Sequence, residues 1–141
     1  MITVYILCLI YLVAAYAWLI LFDVRRSRYQ SASFMIVILA TLGYIAMIRS
    51  TVLSEALLAL KITYIAGCFL PVTFLFVIAE ACAVNVPKWL EALALAFQGF
   101  IFIVVCGIGY NDLFYKGAEL VTDARGNSYL VKDYGPLHAL Y

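Results

Sequence analysis

Uncharged apolar runs dominate this chain, and they are too long to form the core of a small soluble domain. Ile2–Phe22 and 34–48 hold no charged residue, 56–83 holds only Lys61 and Glu80, and 89–110 holds only Glu91. A helix rises ~1.5 Å per residue and the hydrocarbon core of a bilayer is ~30 Å thick, so roughly 20 residues make one crossing. The run 34–48 reaches that length by taking in the uncharged flank 30–33. The runs are continuously apolar rather than alternating, which selects helices over barrel strands. Composition agrees: 12% of residues are charged, against about a quarter in a soluble domain. The fold class is an all-α integral membrane helical bundle with transmembrane helices at about 2–22, 30–49, 56–83 and 88–110. Polar loops fall at about 23–30, 49–55 and 84–88, and a longer polar segment covers 111–135. The net charge of +1 points to no nucleic-acid partner.

The third run carries two charges and a proline. Lys61 and Glu80 lie about 28 Å apart along a helix, so they bracket the hydrocarbon rather than enter it. Lys61 can reach the headgroups on its long stem. Pro71 falls near the midplane, where its missing N–H leaves the Gly67 carbonyl without a helical donor. Such a break in lipid needs compensation from neighbouring helices, hydroxyls or water. Ala59, Thr63 and Gly67 recur on one side and permit close helix contact. A kinked third helix at the centre of the bundle is expected.

Arg25, Arg26 and Arg28 crowd the first loop and Lys88 lies in the third. Short basic loops stay cytoplasmic, which places the N-terminus and the segment 111–135 outside. Trp18, Trp89, Tyr110 and Tyr115 sit where an interfacial aromatic belt would. Ala15-Tyr16-Ala17 imitates a signal-peptide cleavage site, but no basic stretch precedes the apolar run, which continues through Phe22 into arginines; an uncleaved span is the better reading.

Beyond the fourth helix, "AELVTD", "ARGN" and "SYLVKDY" read as two strands around a Gly-containing turn, an outer β-hairpin over 118–134. Gly135 and Pro136 then break the chain, and the apolar stretch 137–141 reads as the start of a fifth helix. On this reading 1–141 is one transmembrane domain of a larger protein.

Several residues carry a family pattern: Gly43-Tyr44 late in the second helix, then Lys61, Tyr64, Gly67, Pro71 and Phe76 in the third. Asn111, Leu113 and Phe114 follow the fourth helix, and Gly135-Pro136 leads into the fifth. This order resembles the N-terminal seven-helix sensor region of bacterial histidine kinases, found also on diguanylate cyclases. The resemblance covers the whole chain. It implies a sensory input module in the bacterial plasma membrane, joined in the parent to a cytoplasmic kinase or cyclase. The partners expected are the bilayer, an unidentified small ligand or membrane-borne signal, and a second copy of the parent in a homodimer.

The chemistry-bearing residues give little support to an enzyme. There is no phosphate-binding glycine loop and no nucleophile paired with a base, and no cofactor is expected. Cys8, Cys68, Cys82 and Cys106 lie in apolar spans without close pairs and read as buried packing residues. His138 is the single histidine, too few for a multi-histidine metal or haem site, and reads as a loop residue at a helix start. Glu80 and Glu91 read as solvated interface residues. Gln98, near the midplane of the fourth helix, is expected to bond across to another helix. Candidate ligand or signalling positions are Lys61, Thr63, Tyr64, Gly67, Pro71 and Gln98, with the hairpin covering the outer end. A small-solute transporter or permease is the alternative, since a proline-bearing helix with a midplane glycine and a nearby glutamine also suits a substrate pathway. The two helical pairs show no inverted repeat, which favours the sensor.

Overall fold

The computed structural model describes residues 2–22, 27–124 and 126–140. The loop charges Asp23, Arg25 and Arg26, the turn residue Arg125 and the terminal Tyr141 lie outside the described residues. Among the described residues four helices are long and apolar enough to cross a membrane: α1 (Ile2–Phe22), α2 (Arg28–Arg49), α3 (Leu53–Ala81) and α4 (Lys88–Cys106). An antiparallel hairpin follows, β1 (Tyr115–Thr122) paired with β2 (Ser128–Tyr134). The chain then enters a 3-10 turn, Pro136–Leu140, where the start of a fifth helix was expected.

Several boundaries differ from the sequence reading for local reasons. The second helix starts at Arg28 because the Ser27 side chain accepts hydrogen bonds from the N–H groups of Tyr29 (3.1 Å) and Gln30 (3.4 Å). Arg28 is therefore a helix residue rather than a loop residue. The fourth helix ends at Cys106 instead of 110, because the chain turns back and the N–H groups of Tyr110 and Asn111 both donate to the Gly107 carbonyl. Strand β1 begins at Tyr115, three residues before the expected start. Helix α3 runs unbroken through Pro71, without an interruption at the proposed kink.

The helices pack in chain order, α1 on α2, α2 on α3 and α3 on α4, with β2 touching α2 and β1 touching α3. No residue of α1 is buried. A helix apolar all round and covered by protein on one side only belongs in hydrocarbon. Helix α3 is the central element, with Ala56, Ala59, Leu60, Tyr64, Cys68 and Phe76 among its buried residues.

Helices α2 and α3 approach closely at Gly43. A Cβ placed there would lie 2.6 Å from Thr63 Oγ1 and 3.0 Å from the Ala59 carbonyl oxygen. The expected small-residue stripe is therefore used at Ala59 and Thr63, but its third member, Gly67, faces a cleft instead. Ser33 Oγ donates to Thr73 Oγ1 (3.1 Å), a buried bond between α2 and α3, of a kind worth about 0.6 kcal/mol on average in membranes.

The core proper gathers where α3 and α4 meet the hairpin: Leu60, Tyr64, Val105, Ile108, Phe114 and Leu130. Gly135 closes this end. A Cβ there would stand 2.5 Å from the carbonyl oxygens of both Asp112 and Leu113, while the Gly135 N–H donates to the Phe114 carbonyl (2.8 Å).

Gly43→Ala should lower unfolding stability by about 1–3 kcal/mol through overpacking, measured by denaturant titration in mixed micelles. Adding Thr63→Ala, which removes the nearest atom, should restore part of the loss. An equal loss in the double variant would mean that the crossing is not set by this contact.

Candidate functional site

On one side of the Gly43 crossing, α2 and α3 leave a cleft of about 520 Å³, with Ala40, Tyr44 and Met47 on the α2 wall. Four sequence candidates, Thr63, Tyr64, Gly67 and Pro71, line the α3 wall. Gly67 and Pro71 are one turn apart, so the carbonyl that Pro71 deprives of a donor lies on the helix side that borders the cleft.

The other two candidates lie elsewhere. Lys61 stands with its amino group 5.0 Å from the ring centre of Tyr110 and does not line the cleft. Gln98 is half-buried on α4 and makes no side-chain hydrogen bond to a described residue, contrary to the expected interhelical bond.

Lys132 joins the cleft from the hairpin. Side chains alternate across a strand, so Ser128, Leu130 and Lys132 share the inward face of β2. Ser128 and Leu130 are buried there, and the Ser128 hydroxyl donates to the Ser50 carbonyl at the end of α2 (2.8 Å). Lys132 Nζ lies 5.9 Å from the ring centre of Tyr64 and 5.6 Å from that of Tyr115. No carboxylate pairs with it among the described residues. Burial holds its pKa below the usual 10.5, because the charged form loses hydration. The alternation in "SYLVKDY" was the signal that could have found this residue.

The hydroxyls of Tyr64 and Tyr115 are hydrogen-bonded to each other, tying α3 to β1. Tyr115 is thus a buried core residue (3% exposed) rather than part of an interfacial belt, whereas Trp18, Trp89 and Tyr110 are exposed. His138 stacks into the same cluster, 4.1 Å from Tyr134 and 5.1 Å from Phe114 between ring centres. It lies in the 3-10 turn Pro136–Leu140 and packs against the hairpin base.

A second cavity of about 620 Å³ opens between α1 and the α2–α3 pair, and Tyr44 lines both cavities. Tyr5 of α1 stacks on Tyr44 at 5.5 Å.

At the opposite end of the helices, Arg28 Nη2 donates to both carboxylate oxygens of Glu91, each at 2.9 Å. Glu91 is only 17% exposed there, so it is held by α2 rather than freely solvated. This pair sets the start of α2 beside the start of α4, at the end away from the hairpin. Cys68 alone among the cysteines is buried, and Cys8, Cys82 and Cys106 are exposed rather than the buried packing residues expected. Among the described residues no three His, Cys, Asp or Glu side chains converge as a metal site would require.

The chain matches the family described as the N-terminal 7TM region of histidine kinase over residues 2–141. It belongs to this family. The 7TM region is the membrane-embedded sensory part of such kinases and not their catalytic part, and the chain is accordingly a multi-pass membrane protein. Gly43, Tyr64, Phe114 and Gly135, which carried the resemblance, are in this 7TM region packing residues, while Gly67 and Pro71 border the cleft. No curated protein and no solved structure shows a significant match to the chain.

Lys132 makes stability depend on pH in a defined sense. Its folded pKa is depressed below 10.5, so between the two values the unfolded chain holds more protons, and stability rises with pH across that window. The melting temperature of the wild type relative to Lys132→Met should climb as pH approaches about 10.5. A difference that is flat or falling with pH would contradict the half-buried, unpaired amine.

Proposed function

We propose that this 7TM region is the input part of a bacterial sensor kinase and receives its signal in the α2–α3 cleft beneath the hairpin. The observation that carries the reading is the shared cavity. A hairpin residue, Lys132, and the proline-bearing face of α3, with Thr63, Tyr64, Gly67 and Pro71, line one cleft. A ligand held there touches both an element outside the membrane and the helix best able to bend. Ligands shift equilibria by binding one conformation better than another, and Gly67 with Pro71 supplies a weakened point in α3 at which two conformations can differ.

The topology in this proposal puts the N-terminus and the hairpin outside the plasma membrane. Its support is the basic loop at Arg25, Arg26 and Arg28 together with Lys88. The Arg28–Glu91 pair holds the two basic helix starts at one end, and the Ser128–Ser50 bond holds the hairpin at the other. The full-length protein acts in this reading as a homodimer with a cytoplasmic histidine-kinase output. Lys61, on the outer part of α3, serves as an anchor near the headgroups.

Two experiments test the proposal. With the native cysteines replaced, Glu119→Cys should react with an impermeant thiol reagent in intact cells and Asn85→Cys should not; the reverse pattern inverts the topology. In the full-length protein, Pro71→Ala and Gly67→Leu should shift basal autophosphorylation or the amplitude of the response while membrane insertion is unchanged. Parental signalling by both variants would remove the cleft from signal reception. A cyclic-dinucleotide product in place of phosphorylation would identify the cyclase output that the resemblance also allows.

A further inference from the structure

The α2–α3 cleft has walls of unequal length, and on α2 it runs only from Ala40 to Met47. Its α3 wall runs from Leu60 to Phe74, about 21 Å at the helical rise. The volume of the cleft is about 520 Å³. At about 30 Å³ per water-sized group, the same space holds on the order of 17 non-hydrogen atoms. That is one chain with one head group, and not the two chains of a bilayer phospholipid.

The chemistry of the walls is graded along this length. Ala40, Met47, Leu70 and Phe74 present hydrocarbon. The single charge is Lys132 at the hairpin end, half-buried over two tyrosine faces and without a carboxylate partner among the described residues. A half-buried cation with no carboxylate beside it among the described residues is favourable ground for an anion, because bonds between ionised groups are the strong ones in a poorly hydrated site.

We propose that the cleft binds a single-chain anionic amphiphile of the long-chain carboxylate class. The head group sits on Lys132 beneath the hairpin, and the alkyl chain lies along α3 towards Phe74. This assignment rests on the sensory reading above and names the chemistry of its signal. The bond from carboxylate to Lys132 would link the ligand to β2, and the chain would lie against Gly67 and Pro71, so occupancy reports on both elements.

The test uses the 141-residue chain in phosphatidylcholine nanodiscs, with the fluorescent polyene parinaric acid as probe and empty nanodiscs as the partition control. Parinarate should bind saturably, and oleate should displace it. Methyl oleate, identical in chain but uncharged, should compete about tenfold more weakly or worse, the loss of one charge-assisted contact. Lys132→Met should weaken parinarate by a similar factor, Lys132→Arg should largely retain it, and Gly67→Leu should block it. Equal competition by acid and ester overturns the proposal, and that comparison needs no variant to fold. Displacement by phosphatidylglycerol as effective as by oleate also overturns it, assigning the site to bilayer lipid. Loss of acid preference would leave the signalling effects of Pro71→Ala and Gly67→Leu standing. Acid-selective binding without those effects would instead remove the sensory role.

Discussion

The close crossing of α2 and α3 at Gly43 is the contact on which the rest of this structure depends. Inside a bilayer apolar side chains gain nothing by leaving lipid for protein, so helices associate through close packing and a few polar bonds. Gly43 supplies the packing by letting the α2 backbone approach Ala59 and Thr63 of α3. Ser33 and Thr73 supply a polar bond farther along the pair. With these two points joined, the remaining separation between the helices is the cleft. Its walls combine small residues, Ala40, Ala66 and Gly67, with the larger Tyr44, Tyr64 and Phe74.

The hairpin end is built by different physics. Tyr64, Phe114, Tyr115, Leu130 and Ile108 form a compact apolar core, and the chain around them is irregular or extended. Backbone groups there cannot all be satisfied within one helix, so turns, strand pairing and side-chain hydroxyls take over. Gly135 belongs to this economy of space, since only a residue without a side chain can lie so close to the carbonyls of Asp112 and Leu113. The same packing turns Lys132 inward, placing a cation where the membrane-facing cleft meets the cap.

These two regions give the sensory family assignment a mechanical meaning. Helix α3 touches α2, α4 and β1, so a change at its centre is felt by three neighbours at once. The Arg28–Glu91 pair ties α2 to α4 at the far end, and the cleft lies between that end and the hairpin. A molecule entering there meets the hairpin, the crossing and the proline together.

The membrane spans were legible from the sequence because a bilayer selects on length and apolarity, which are properties of the chain alone. Ile2–Phe22 shows this in full: no residue of it is buried in protein, so nothing tertiary was needed to define it. The hairpin was legible from its turn residues and alternation, Thr63, Gly67 and Pro71 from the small-residue stripe and the helix breaker, and Tyr64 from the family pattern. The placement of Lys61, Gln98, Glu91, Tyr115 and Lys132 was not. An apolar helix presents much the same surface to lipid as to a neighbouring helix, so the sequence does not say which face is covered or which polar side chain finds a partner. Lys61 met Tyr110, Glu91 met Arg28 and Lys132 met the cleft because of distances between elements far apart in the chain. The sequence by itself determined which segments are long and apolar enough to cross a membrane and that a hairpin follows them; only the tertiary structure decided where the cap begins and which side chains share a cavity, because both depend on contacts between elements far apart in the chain.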